Sequence, residues 1–453
     1  MKILRRDDAE YLEKLRFLTA PSSLFDQGIE ERARGIIAGV AGQGDDALME
    51  FSRRFDGAEL NPQHFRVTQA ELFNASLKAD EELRSAVKEA DKNITAFAKK
   101  SLRKNWSSRN SHGATVGEKF DPYQRVGVYI PGGTAPLVST CLMTISLARV
   151  AGCREIVVCT PCGKHGEINA AILFAANFAG ATEIYRMGGA HAIAAMALGT
   201  RTINRVQKIF GPGNAYVVAA KRLLVGRVGI DLLPGPSEVL VLADETANPK
   251  HIAADMIAQA EHGSGFERAW LITTSVKVLN AVEREIRKTV PNYPRYKFIE
   301  TALNNNGWLI QVKDLDEGIA LANEIAPEHC EIMVKQKQKA IDGITTAGGI
   351  FVGPYTPTVL GDYVAGPSHT LPTGGAGKAF SGLTVDQFQR RTSVVEYSKS
   401  ALSSALKSVL KFSEIEGLDA HGDSARIRLA PDRKTAARTK KAIAKPKSAA
   451  RKK

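Results

Sequence analysis

The sequence predicts an α/β protein in which parallel sheets are covered by helices, with room for more than one sheet. Short β-branched runs alternate with helical stretches through most of the chain, at 125–131, 155–160, 183–187, 239–243, 269–273 and 349–352. A chain of 453 residues that is 44% hydrophobic exceeds what one core comfortably organises, so two or more folded units are expected.

Up to about Lys104 the chain is charged and helical, with Ile94, Phe97 and Leu102 as packing residues and no visible chemistry. His64 and His112 lie in polar surroundings without partners at ligand spacing and read as surface histidines. Past Val395 a helical pattern returns, with Leu402, Leu406, Val409 and Leu410 on one side and a stop near Gly417. Such an arm is expected to dock on a neighbour.

No stretch reaches the ~18 apolar residues of a membrane span, and Arg5, Arg6, Asp7 and Asp8 stand where a signal peptide would be apolar. The expected location is the cytoplasm. Cys141, Cys153, Cys159, Cys162 and Cys330 are too few and too scattered for a disulfide framework, which fits a reducing compartment. Cys159 and Cys162 form a CxxC, but with no second pair they read as the end of a buried strand.

The formal charge of +13 is concentrated at the end: residues 431–453 hold ten Lys or Arg against Asp432, which leaves only +4 for the rest. This basic tail is expected to be disordered. Weak, non-specific contact is the only nucleic-acid role its charge suggests.

No GxGxxG follows a strand. Gly374-Gly375-Ala376-Gly377-Lys378 is not a P-loop, because Ala379 replaces the magnesium-binding hydroxyl. Tyr129-Ile130-Pro131-Gly132-Gly133-Thr134 is the better dinucleotide candidate, although a plain strand-to-helix turn fits it equally well.

Four further constellations stand out. Asn248 and Pro249 open a helix that Gly263 should end, and this would set Gln259 and His262 on one face as a possible metal pair or a capping pair. Glu328 and His329 precede an apolar strand, either as an acid-base pair or as an exposed loop pair. Asp362 and His369 lie on a Gly- and Pro-rich stretch that reads as loop. Glu416 and His421 close the terminal arm, where an exposed helix end is the alternative.

In order and spacing, the segments around Tyr129, GPGNAYVVAAKR, GPSEVLVLAD, AQAEHG, APEH, GDYVAGPSH and EGLDAH resemble the histidinol dehydrogenase family, from about Phe25 to Leu429. The resemblance implies a zinc-dependent enzyme that oxidises L-histidinol through L-histidinal to L-histidine with two NAD. A related dehydrogenase of another amino alcohol or a sulfopropanediol-type diol is the alternative, against which Glu416 and His421 speak. It implies Gln259, His262, Asp362 and His421 as ligands of one Zn²⁺ per subunit, with Glu328 and His329 as the acid-base pair. Substrate contacts would be Ser237, Gln259, His262, His329, Asp362, His369, Glu416 and His421. For NAD it implies Tyr129, Asn214 and His191, the last replacing a family Gln, so that binding is expected to be weaker or pH-dependent.

The implied fold is two incomplete Rossmann-like domains with small terminal helical segments. Its expected parts are an N-terminal segment 1–25; a first domain from 26–128 and 238–380 carrying the metal and acid-base residues; a second, NAD-side domain 129–237; an arm 381–430 that completes the site of a homodimer; and the tail 431–453.

Overall fold

Alternation of β-branched strands with capped amphipathic helices produces two parallel sheets in the computed structural model, which describes residues 1–19, 26–132 and 136–430. The basic tail, Gly133 and Thr134 lie outside the described residues. The chain divides into two units, 1–102 with 122–389, and 103–121 with the segment from 390 onward.

The larger unit contains both parallel sheets. In the first, the strand order is β1 (Lys2–Leu4), β11 (Gly307–Gln311), β10 (Arg268–Thr273), β9 (Glu238–Ala243), β12 (His329–Met333), β13 (Gly349–Val352). In the second it is β6 (Glu183–Arg186), β5 (Glu155–Thr160), β4 (Arg125–Tyr129), β7 (Lys208–Phe210), β8 (Gly229–Ile230). Every strand pair in both is parallel, and the central strands are buried along their length, as expected when helices cover both faces.

The sheets divide the sequence differently from the expected domains. β1 belongs to the segment 1–25 yet pairs with β11 at the edge of the six-stranded sheet. Residues 26–128 pack mainly on the five-stranded sheet and meet 238–380 only at the margin, where Val364 packs against their core and accepts from Asn93. Ile36, Val40, Leu48 and Phe51 pack on one face of the five-stranded sheet with Val157 and Cys159, while Val87, Ala90 and Ile94 pack on the other with Val126, Val128 and Val158. These helices carry apolar stripes that need a sheet face, and the five-stranded sheet supplies both. β4, which the boundary at 128 would cut, is its middle strand. The arm starts later than 381, because Leu383, Val385 and Phe388 are buried in that core and Phe388 stacks on Phe210 with ring centroids 3.7 Å apart.

The smaller unit pairs β2 (Trp106–Arg109) antiparallel with β3 (Thr115–Pro122), and β14 (Gln389–Glu396) completes this three-stranded sheet. Helices Lys399–Glu416 and Asp419–Arg426 follow. Gly417 takes the left-handed conformation that ends the first helix, and Ser413 locks the corner by donating to the Leu418 carbonyl and accepting from Gly422 N–H. Among the described residues no helix is long and apolar enough to cross a membrane.

Candidate active site

β9, β12 and the helix Pro249–Ala260 bring most of the expected catalytic residues of the larger unit together. Asn248 caps that helix through its side chain, accepting from Lys250 N–H, and Pro249 occupies its first turn. The helix ends at Ala260, so Gln259 is helical and His262 lies on the following turn, not on the same helical face as expected. The turn closes tightly: His262 Nδ1 is 2.9 Å from the Gln259 carbonyl, and Arg295 donates to the Glu261 and His262 carbonyls. Gly263, at φ +97°, leaves no room for a Cβ, which would stand 2.6 Å from the Arg295 guanidinium. Nδ1 being occupied, His262 presents Nε2. Gln259 is buried, and its Nε2 has no partner.

His329 opens β12. Its Nδ1 lies 2.9 Å from the Glu238 carbonyl and its Nε2 3.7 Å from Asp362 Oδ1. Burial pulls its pKa below the usual imidazole range, partly opposed by the charge of Asp362. Glu328 is buried beside it and accepts from Glu238 N–H at 2.8 Å. Burial first, and then the charges of Glu238 and Asp362, push the Glu328 pKa well above the carboxylate range. Both residues are buried, which disposes of the exposed-loop alternative.

Asp362 lies on a short helix, Thr358–Tyr363, where a loop was expected; the glycine before it is admitted because a Cβ on Gly361 would stand 2.6 Å from the Phe351 ring. The Asp362 carbonyl meets His369 Nδ1 at 3.1 Å, and His369 Nε2 is 3.2 Å from Thr140 Oγ1. Burial lowers the His369 pKa as well, and both His262 and Asp362 are close enough to act on it electrostatically. Ser237 stands half-buried immediately before β9.

Glu416 and His421 belong to the smaller unit, Glu416 as the last residue of one helix and His421 in the first turn of the next, both exposed. Among the described residues no group of three or more His, Cys, Asp or Glu that could hold a metal ion occurs.

The expected NAD residues line a cavity of about 950 Å³ beside the five-stranded sheet. Tyr129 ends β4, and its hydroxyl accepts from Gly189 N–H at 3.0 Å. Asn214 caps the helix Ala215–Leu223 with its side-chain oxygen. The turn before it is pinned by Lys221, which donates to the Gly211 and Leu232 carbonyls and pairs with the buried Asp231, itself accepting from Gly211 N–H. His191 is fully buried, with no partner on either ring nitrogen.

The cavity also holds residues from the supposedly featureless first part of the chain. Arg32, Phe51, Arg54, Phe55 and Asp56 line it, and Asp56 Oδ2 is 3.9 Å from His191 Nε2 without a hydrogen-bond partner. Burial raises the Asp56 pKa to about 6 and lowers that of His191 to about 4. His191 is therefore neutral at physiological pH, whereas Asp56 titrates close to it. Sequence reasoning also missed Glu238, whose pKa burial raises to about 7, and the buried carboxyl pair Asp255 and Glu331. None of these carries a local motif.

The model of the family described as "Histidinol dehydrogenase" matches residues 21–429. A histidinol dehydrogenase from Heliobacterium mobile is 43% identical over 93% of this chain and 97% of its own length. One from Bacillus cereus is 41% identical over 94% and 99%. The crystal structure of histidinol dehydrogenase from Elizabethkingia anophelis superimposes with a TM-score of 0.90 at 34% identity, covering 95% of this chain and 98% of that one. With its two parallel sheets, its buried Glu328 and His329 pair and likeness along nearly its whole length, this chain belongs to the histidinol dehydrogenase family.

Proposed function

We propose that this chain oxidises L-histidinol through L-histidinal to L-histidine with two NAD, at a site holding one Zn²⁺. The observation that carries this reading is the buried pair Glu328 and His329, with the half-buried Asp362 and His369 beside it and the Nε2 of His329 left bare.

The side chains suit both groups. Gln259 offers an amide oxygen on a buried side chain whose Nε2 has no partner, His262 its Nε2 and Asp362 a carboxylate, which is a nitrogen and oxygen donor set of the kind zinc takes. These three residues would hold the metal with His421. The NAD cavity likewise contains buried polar atoms without partners on Asp56 and His191, beside the N-terminus of the helix Gly189–Leu198, which favours an anionic ligand. When bound, zinc would hold the substrate's amine and imidazole, and NAD would accept a hydride in each half-reaction.

The chain's own residues move the protons. The Glu238 carbonyl holds the Nδ1 proton of His329, so Nε2 takes the proton of the alcohol as the carbinol carbon loses its first hydride. Glu328 then takes a proton from the water that adds to the aldehyde, and the same carbon loses the second hydride. The raised pKa of Glu328 makes its carboxylate, once ionised, a stronger base than an ordinary glutamate. Burial of Glu328 and His329 favours retention of the aldehyde between the steps.

A homodimer with shared sites fits the terminal arm, where Phe412, Ile415, Leu418 and Ile427 are exposed on the helices carrying Glu416 and His421. Apolar side chains grouped in this way suit burial against a second copy. Ser237, His369 and Glu416 would contact the substrate, Glu416 by pairing with a cationic nitrogen.

Turnover stoichiometry tests the reading. Two NADH should form per L-histidinol consumed, without free aldehyde, and a chelator should abolish the reaction. One NADH per substrate, or turnover indifferent to the chelator, would overturn it.

A further inference from the structure

The catalytic steps above leave out Glu331, a side chain of β12 almost completely buried. It follows His329 by two residues and so lies on the same face of the strand, the face that Met333 shares with the helix Pro249–Ala260. Its Oε1 accepts from Thr358 N–H at 2.9 Å. Thr358 is the first residue of the short helix that carries Asp362. Its Oε2 is buried and finds no donor. The buried carboxyl of Asp255 is near enough to act on Glu331 electrostatically. Asp255 precedes Gln259 by four residues on the same helix, which places the two on one face a turn apart.

Two neighbouring buried carboxyls are not both ionised, and a proton kept on Glu331 gives its otherwise unpartnered Oε2 a hydrogen to offer Asp255 while Oε1 accepts from Thr358. Burial first, and then the charge of Asp255, push the Glu331 pKa well above the carboxylate range, so that its carboxyl keeps a proton at neutral pH. Close packing removes any slack: the Phe351 ring lies against Gly361 on one side and 5.7 Å from the His329 ring on the other.

We infer that Glu331 is a positioning residue for the metal site: it ties the N-terminus of the Asp362 helix and the Asp255 turn of the Gln259 helix to the strand bearing His329, and so sets the spacing of Gln259 and Asp362. This rests on the zinc reading above. Neither Glu331 nor Asp255 is among the residues that would hold the metal. Their effect passes through the two elements they join.

The test measures zinc affinity of the full-length protein by competition with a chromogenic chelator, beside the melting temperature of the metal-stripped form. Glu331→Leu removes both the acceptor for Thr358 and the hydrogen offered to Asp255, and should weaken zinc binding by about 10- to 100-fold, the usual cost of losing an outer partner of a metal site. Glu331→Gln keeps an acceptor for Thr358 and a donor for Asp255, and should bind zinc within about threefold of the parent. Should Glu331→Leu fail to fold, Thr358→Pro deletes the donated N–H, along with the Thr358 hydroxyl, at a first-turn position that tolerates proline, and should weaken zinc likewise. A role confined to folding would shift the melting temperature and leave zinc affinity unchanged. That result, in either variant, overturns the inference while leaving the zinc reading intact; an unmodified protein that binds no zinc overturns both.

Discussion

The ring of His329 meets the backbone carbonyl of Glu238 through Nδ1 at 2.9 Å, and this contact determines which nitrogen of His329 can act as a base. A carbonyl only accepts, so Nδ1 carries the proton and Nε2, 3.7 Å from Asp362, is bare. Adjacent parallel strands impose the relationship, because His329 pairs in register with Val239, the residue after Glu238. His329→Asn should therefore slow hydride transfer by about 10²- to 10⁴-fold, the range for a general base, with zinc content unchanged. Single-turnover NADH formation checks this, and an unaltered rate would remove the base role.

The legibility of this chain in its sequence divides along physical lines. Strands 125–131 and 155–160 announced themselves because buried parallel strands read as apolar runs, and the observed β4 and β5 match them to within two residues. The helix Pro249–Ala260 was visible through Asn248 and Pro249. Its end was not, since the turn at His262 depends on Arg295, a contact between residues more than thirty positions apart. The packing of the first hundred residues on the five-stranded sheet was hidden too, because an amphipathic stripe states that a face must be covered without saying by what. Asp56 and Glu331 escaped for the same reason: their importance comes from burial among distant groups and not from neighbours in the chain.

His262→Ala should abolish zinc binding and most turnover. The imidazole is held by its Nδ1 contact to the Gln259 carbonyl with Nε2 directed outward, and no other described histidine stands on that turn. Metal analysis after dialysis decides the matter. Full zinc occupancy in the variant would contradict the ligand assignment.

At the NAD cavity, Asp56 rather than His191 should control the pH response. Burial raises the Asp56 pKa from 3.8 to about 6, so the carboxylate is ionised at pH 8 and protonates as pH falls through about 6. With NAD seated in this cavity as proposed, a ribose hydroxyl donating to the ionised carboxylate would lose that bond on protonation, so the Kd for NAD should rise on acidification. His191, with a pKa near 4, stays neutral throughout this range. Asp56→Asn should weaken NAD by about 10-fold or more, as a hydrogen bond to a charged group contributes roughly 1.5–3 kcal/mol, and should flatten the dependence between pH 5 and 8. His191→Gln should keep that dependence and mainly alter affinity. Calorimetric titration at several pH values distinguishes the two, and a pH response surviving in Asp56→Asn would locate it elsewhere.

Lys221 poses a question of stability more than of chemistry. Its ammonium group is fully buried, pairs with an equally buried Asp231 and donates to the carbonyls of Gly211 and Leu232. Asp231 in turn holds Gly211 N–H, so the pair fixes the turn leading to Asn214 at the rim of the NAD cavity. Lys221→Met leaves Asp231 as a buried carboxylate without its cation, and breaking a buried pair on one side costs about 3–5 kcal/mol. Replacing both partners, as in Lys221→Met with Asp231→Leu, removes the stranded charge and should recover part of that loss, though Gly211 N–H and two carbonyls still lack partners. Denaturant unfolding of the three proteins gives these differences directly. A single variant as stable as the parent would show that the pair does not hold the turn, and NAD affinity would then be expected to survive the substitution as well.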